Sequence, residues 1–344
     1  MKAAVIREFG DTDTPRVEDV ATPKPGPGNV LIKILAAGVN RLDHHIREGS
    51  ISRDIPLPHV LGADAAGEVA GLGDGVKGFK IGERVIPAPG FPQDESDFDV
   101  RPVVTAPSFA LPGLGRWGTY AQYMEVPAPF VVKDDTGLSP EETATLPVAL
   151  GTAVRALRDV GEVKAGDKVL IQAGASGSGS MQIQVAKVLG AEVATTIRSE
   201  EKRAFVASAG ADLIINTREQ DLVAAVRDWT GGQGADVVID NLGGDVLAQS
   251  IEAAKPLGVI VAFGFAAGPQ VSFDVRTLFF TQKQLRGSMA SDPEHLAWGL
   301  EQVRAGRIRP LLDRTMPLDQ AAEALQLVAT NQVKGNVVLL PWQD

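Results

Sequence analysis

Apolar residues along this chain follow two different rhythms, and the rhythm changes near residue 166. Up to about residue 125 they come in short runs, such as Val30-Leu31-Ile32-Lys33-Ile34-Leu35 and Ala65-Ala66-Gly67-Glu68-Val69-Ala70. Close turns, Pro25-Gly26-Pro27-Gly28 and Gly73-Asp74-Gly75, punctuate these runs, a pattern that predicts an antiparallel β-barrel. The stretch 88–118, with its prolines and acidic residues, reads as a long surface lobe. From about residue 166 short apolar strands alternate with helix-length segments. Lys168 to Gln172 predicts a buried strand, and Met181 to Leu189 a helix ended by Gly190. Val193 to Ile197, Leu213 to Ile215, Val237 to Ile239 and Val259 to Phe263 continue the series, which predicts a parallel sheet covered on both faces. Beyond about residue 275 the pattern predicts a strand at Gln284 to Ser288, helices around His295 to Arg304 and Leu318 to Val328, and a last strand at Val337 to Leu340.

A chain of 344 residues exceeds one ordinary core and divides into two domains of about 100 to 200 residues, with a cleft expected between them. Hydrophobic residues at 44% and charged residues at 22% exclude a disordered chain. A net charge of -10 repels phosphate backbones and anionic membranes, which argues against a nucleic-acid or membrane partner. The opening Met1-Lys2-Ala3-Ala4-Val5-Ile6-Arg7-Glu8 lacks the apolar core of a signal peptide, and no run reaches about 18 apolar residues, so a cytoplasmic protein is expected. Zero cysteines exclude disulfides, a thiolate nucleophile and cysteine-ligated zinc.

Between the first strand of the second region and its helix lies Gly174-Ala175-Ser176-Gly177-Ser178-Gly179. A backbone so poor in side chains admits a pyrophosphate, and the helix that follows directs its positive end at the anion. The match to G-x-G-x-x-G is imperfect, because Ser176 holds the second glycine position. A flexible turn would look the same in isolation; the placement after a strand and before a helix favours a dinucleotide. The ribose-binding acid expected about 20 residues further on is absent, and Arg198 and Ser199 stand there instead, with Lys202 a helical turn beyond. This set suits a 2′-phosphate and predicts NADPH as cofactor. A solvated surface cluster with Ser199 capping a helix is the alternative.

Several motifs together resemble the zinc-independent, quinone-oxidoreductase-like branch of the medium-chain dehydrogenases/reductases, over nearly the whole length. They include Gly38-Val39-Asn40-Arg41-Leu42-Asp43, Pro58-His59-Val60-Leu61-Gly62-Ala63-Asp64-Ala65-Ala66-Gly67, Gly118-Thr119-Tyr120-Ala121-Gln122-Tyr123, Gly210-Ala211-Asp212 and Lys334-Gly335-Asn336-Val337-Val338-Leu339. The resemblance implies an α/β chain: a GroES-like β-barrel catalytic domain from residues 1–125 and 276–344, with a Rossmann domain, 126–275, inserted. It aligns Asn40, Ala63 with Asp64, and Val148 with the catalytic zinc ligands of the zinc-dependent members, and no zinc can be held by that set. A metal site built from Asp43, His44, His45 and Asp64 is the competing arrangement. The resemblance also implies that Asn40, Thr152, Gly264, Phe265, Ser288 and Met289 surround the nicotinamide, with Asn216 and Leu242 along the nucleotide and Asn336 nearby.

Asn40, Asp43 and His45 are the candidate catalytic residues. Asn40 has an amide able to steady a ribose or a developing oxyanion, or simply to cap the turn after Gly38; Asp43 and His45 match positions that orient ligands or relay protons in the zinc enzymes. Tyr120 and Tyr123, the two tyrosines, are the positions open to a tyrosine-based acid, and both lie in a strand-like run and read as packing residues. Without a Lewis acid, reduction of a quinone or an α,β-unsaturated carbonyl by NADPH fits better than alcohol oxidation. A homodimer is expected through the strand at Gln284 to Ser288, as in the family. A non-catalytic NADPH-binding protein, regulatory or structural, is the alternative function.

Overall fold

A computed structural model describes residues 1–10 and 13–343, which form two compact units. One comprises Met1–Gly151, Ala290–Arg304 and Pro310–Asp344; the other comprises Thr152–Met289 and Ala305–Arg309. The boundaries therefore fall at 151/152 and 289/290 and not at the expected 125/126 and 275/276. Strand pairing is the reason. Tyr123–Pro127 pairs with Asn29–Val39 and Val131–Lys133 with Arg84–Pro87, which draws residues 126–133 into the first unit. Gln284–Gly287 pairs with Ala254–Ala262, which holds it in the second.

In the first unit Arg16–Asp19, Lys2–Ile6 and His59–Val60 form a three-stranded antiparallel sheet. A seven-stranded sheet runs Val131–Lys133, Arg84–Pro87, Ala66–Leu72, Asn29–Val39, Asn336–Leu340, Leu312–Pro317, with Tyr123–Pro127 also on Asn29–Val39. Along Asn29–Val39 burial alternates, with Val30, Ile32, Ile34 and Ala36 inward, the period-2 signature that its sequence carries. Both sheets feed one core, in which Ile6 and Val60 meet Ile32, Val69, Tyr120 and Val337. The stretch 88–118 is more than surface. Phe91 is fully buried, its ring stacked 5.7 Å from that of Phe130 and covered by the Arg116 guanidinium at 4.7 Å.

The second unit is a six-stranded, wholly parallel sheet in the order Leu213–Asn216, Glu192–Ile197, Lys168–Ile171, Ala235–Asp240, Ala254–Ala262, Gln284–Gly287. The chain starts in the third of these strands, works outward to one side, then restarts on the other. That reversal places a switch point between Lys168–Ile171 and Ala235–Asp240, at whose carboxyl ends such sheets bind ligands. Helix Gly177–Val188 packs on the first two strands in the sequence of this unit, and Gly244–Ala253 packs on the two beyond the switch.

Candidate active site

At the carboxyl end of Lys168–Ile171 the chain turns through 173–176 into helix Gly177–Val188. Ser176, the residue that breaks the glycine pattern, is the helix N-cap: its Oγ accepts from the Gly179 amide at 2.9 Å and donates to the Ala173 carbonyl at 2.9 Å. Gly174 and Gly179 are confined by close approach. A Cβ on Gly174 would lie 2.3 Å from Thr195 Oγ1, and one on Gly179 2.2 Å from the Ala173 carbonyl oxygen. Gln182 reaches back to Ser178 Oγ at 2.6 Å, while its Oε1 is buried without a hydrogen-bond partner. The turn is thus a bare, braced backbone at the positive end of a helix, fit for a pyrophosphate.

Glu192–Ile197, the neighbouring strand, ends at Arg198. Arg198 is exposed, and among the described residues no hydrogen bond or ion pair engages its guanidinium. Ser199 precedes the short turn Glu200–Lys202, but its hydroxyl makes no capping bond; its carbonyl accepts from the Lys202 amide at 3.1 Å. Glu200, the first carboxylate after the strand, is turned to other partners. Arg203 holds it through two bonds of 2.6 and 2.8 Å and Asn216 Nδ2 through one of 2.9 Å, which together pull its pKa down to about 2. Asn216, expected along the nucleotide, therefore spends its side chain on Glu200 and on the Arg218 amide at 3.2 Å.

The remaining expected residues of this unit follow the ends of the other parallel strands. Leu242 donates its amide to Asp240 Oδ1 at 2.9 Å, and Gly264 and Phe265 follow Ala254–Ala262. Ser288 follows Gln284–Gly287; its Oγ, like Asn241 Oδ1, is buried without a partner, while Met289 is exposed. Unsatisfied buried polar atoms at the ligand-binding edge of such a sheet, with a glycine-braced turn beside them, fit a dinucleotide. Thr152, half-buried, lies on helix Pro147–Val154.

In the first unit, Asn40 ends strand Asn29–Val39 and opens helix Arg41–Glu48. Its backbone N–H donates to Asp43 Oδ2 at 2.8 Å, and its side-chain Nδ2 donates to Asp64 Oδ2 at 2.8 Å. Asp64 Oδ1 accepts from the Val148 amide at 2.7 Å, and Asp43 Oδ2 also accepts from the Tyr120 hydroxyl at 2.8 Å. Asp43, Asp64 and Tyr120 are all buried. Burial pushes Asp43 up to about 6 against the hydrogen bonds from Asn40 and Tyr120. Burial likewise pushes Asp64 up to about 7, the Asn40 and Val148 bonds opposing and the charge of Asp43 adding. Tyr120 is raised well above 10 by burial and by Asp43.

So Tyr120, read as a packing residue, is also the donor that holds Asp43. Asp64 is the group that sequence reasoning kept only as a metal candidate. One N–H of the Asn40 amide is committed to it, and the side-chain oxygen faces the Asp43 N–H in a capping box, which leaves the second N–H to serve a ligand. His45 shares the helix with Asp43, and its Nδ1 lies 3.3 Å from Ser50 Oγ. Burial, then the charge of Arg41, lowers its pKa. Asn336 opens the strand Asn336–Leu340 and donates Nδ2 to the Leu311 carbonyl at 3.4 Å. Among the described residues no group of three or more His, Cys, Asp and Glu is placed to hold a metal. Asp64 spends both oxygens inside the protein, and His44 is engaged by Glu48 at 3.3 Å and Arg47 at 3.0 Å.

Known proteins resemble this chain in sequence and in fold. Residues 26–136 match the family described as alcohol dehydrogenase GroES-like domain, and 177–304 the one described as zinc-binding dehydrogenase. A 2-haloacrylate reductase from a Burkholderia species is 34% identical over 98% of both chains. A probable quinone oxidoreductase from Schizosaccharomyces pombe is 28% identical over 98% of this chain and 97% of its own. A solved NAD-dependent alcohol dehydrogenase superposes with a TM-score of 0.92 at 34% identity, covering 99% of each chain. By sequence and by fold the chain belongs to the medium-chain dehydrogenase/reductase family, in its quinone-oxidoreductase-like part, and is an oxidoreductase that uses a nicotinamide dinucleotide.

Proposed function

We propose that this enzyme uses NADPH to reduce a quinone or an α,β-unsaturated carbonyl compound, and that it works without zinc. The observation that carries the cofactor reading is the exposed, unengaged Arg198 at the carboxyl end of Glu192–Ile197, beside a Glu200 already tied to Arg203 and Asn216. A carboxylate turned away and a guanidinium left open suit a 2′-phosphate and not a bare ribose hydroxyl.

A bound nicotinamide dinucleotide supplies the hydride. The chain's own part is to bind and orient. The amides opening helix Gly177–Val188 meet the pyrophosphate, Arg198, Ser199 and Lys202 the 2′-phosphate, and Leu242, Gly264, Phe265, Ser288 and Met289 line the path to the nicotinamide, with Thr152 of the same unit. Asn40, its amide fixed by Asp64, offers a hydrogen bond to a substrate oxygen on which charge develops. The donor set speaks against zinc: amide, methyl and isopropyl groups at Asn40, Ala63 and Val148, with no cysteine in the chain, leave no tetrahedral site. The 2-haloacrylate reductase and quinone oxidoreductase among its relatives support an electron-poor alkene or quinone as acceptor.

NADPH oxidation measured against quinones, enones and 2-haloacrylates, with and without a chelator, tests this reading. Turnover with at least one acceptor, unchanged by the chelator, is expected. NAD-linked alcohol oxidation that dies on metal removal would replace it with a zinc alcohol dehydrogenase, and tight NADPH binding without turnover with a non-catalytic binding protein. We also infer a homodimer built on the Gln284–Gly287 edge.

A further inference from the structure

One buried row of polar side chains crosses the dinucleotide unit beneath the switch point. The register pairs Ile171 with Thr195 on one side and with Ile239 on the other, so the residues that follow, Thr196, Gln172 and Asp240, stand abreast on three adjacent strands. All three are buried, as is Ser250 on helix Gly244–Ala253. The bonds run in one direction. The Ala173 amide donates to Thr196 Oγ1 (2.9 Å), Thr196 to Gln172 Oε1 (2.8 Å), Gln172 Nε2 to Ser250 Oγ (3.0 Å) and Ser250 to Asp240 Oδ2 (2.7 Å). Asp240 Oδ1 takes the amides of Leu242 and Gly243 at 2.9 and 2.8 Å.

Each end of the chain touches a loop of the proposed cofactor site. Ala173 opens the phosphate turn, Thr196 lies two residues before Arg198, and Leu242 and Gly243 form the loop across the switch. From this geometry we infer that Asp240 is a positioning residue for the dinucleotide, acting through Ser250, Gln172 and Thr196 to hold the three loops in one mutual arrangement. The inference rests on the reading that 174–179 receives the dinucleotide.

The carboxylate sets the polarity of the whole row. An amide at 240 keeps the Leu242 and Gly243 bonds with its oxygen and must then donate to Ser250. Ser250 turns its proton to Gln172, the Gln172 amide inverts, and the Thr196 hydroxyl, facing two donors, loses its acceptor. A carboxylate at 172 repairs this, because it accepts from both hydroxyls and returns every bond to a partner. Asp240→Asn should weaken NADPH about tenfold or more, the effect of one buried polar group left unpaired. Adding Gln172→Glu should bring affinity back to within about threefold of wild type, whereas Gln172→Glu alone, which sets two carboxylates in one row, should weaken it too.

Fluorescence titration with NADPH, at a temperature where each variant is fully folded, makes the comparison, and thermal unfolding is recorded beside it. A merely structural row would lower the unfolding temperature and leave affinity in the folded protein unchanged. That result, or a double variant no better than Asp240→Asn, overturns the proposal. If Asp240→Asn does not fold, Thr196→Val, which removes the Ala173 link and the bond to Gln172 and leaves the rest of the row in place, carries the test: a severalfold loss supports the proposal and an unchanged affinity overturns it. A wild-type enzyme that prefers NADH refutes the NADPH reading alone, and the same variants titrated with NADH then decide the role of the row.

Discussion

Asp43 and Asp64 sit in the protein interior with donors that are all neutral: the Asn40 amide and N–H, the Tyr120 hydroxyl and the Val148 N–H. A carboxylate pushed up to about 7, as Asp64 is, keeps a proton in the folded chain that the unfolded chain releases near pH 4. Between those values the native state binds more protons, so its stability falls as pH rises. Asp64→Asn removes the titration and keeps the side chain's size. From pH 5 to pH 8 the variant should therefore gain on wild type by on the order of 2 kcal/mol in urea unfolding. A difference that does not change with pH would mean that Asp64 is ionised throughout. At the nucleotide, Arg198→Ala should weaken NADPH about 10- to 150-fold, the loss of one charge-assisted bond of roughly 1.5 to 3 kcal/mol. NADH, which has no 2′-phosphate, should change only a few-fold. Equal losses for both cofactors in paired titrations would strip Arg198 of that role.

Ser176 shows how an element gives meaning to a departure from pattern. In G-x-G-x-x-G the second glycine lets the backbone close on the pyrophosphate; here the position carries the cap of the helix that faces it. Ser176→Ala should cost about 1 kcal/mol of stability, because the Gly179 amide loses its partner, while Ser176→Gly should cost only a few tenths. Denaturant midpoints of the two variants check this, and an unchanged midpoint for Ser176→Ala would show that the cap bond contributes nothing. The strands and helices of the dinucleotide unit were legible because each buried strand is a run of apolar residues ended by a glycine or polar turn. The first-unit sheet was legible in the alternation along Asn29–Val39. The boundaries were not, since Tyr123–Pro127 and Val131–Lys133 owe their place to pairing with strands far away in sequence. The same applies to the site. Glycines and Arg198 announce themselves locally, but the Asn40–Asp64 bond and the Thr196–Gln172–Ser250–Asp240 row exist only across strands. The single local hint was a polar residue closing an apolar strand, as Gln172 and Asp240 do.

For the molecule as a whole, the feature that remains is the outer edge of the parallel sheet. Gln284–Gly287 is the last strand in the order and, among the described residues, pairs on one side only, with Ala254–Ala262. Around it in the sequence the chain exposes Val275, Phe279, Phe280, Leu285 and Met289, and the exposed Leu257 is tied to the same segment by its backbone N–H, which donates to the Thr281 carbonyl at 2.9 Å. Phe280 is 73% exposed and Phe279 54%, with ring centroids 4.4 Å apart. An open strand edge bordered by large apolar side chains is a liability in a monomer and an interface in a dimer. A two-fold axis beside the edge would pair Gln284–Gly287 with its copy and cover the same side chains on both chains at once. Burying one phenylalanine contributes about 1.5 to 3 kcal/mol, and the symmetry doubles whatever one site loses. Phe280→Glu therefore removes roughly 3 kcal/mol or more of association energy and sets two like charges near one axis. Sedimentation at micromolar concentration should show two chains for wild type and one for Phe280→Glu, with the variant's NADPH affinity within a few-fold of wild type. A wild-type protein that sediments as a single chain at that concentration removes the dimer from the proposal and leaves the exposed phenylalanines to some other partner.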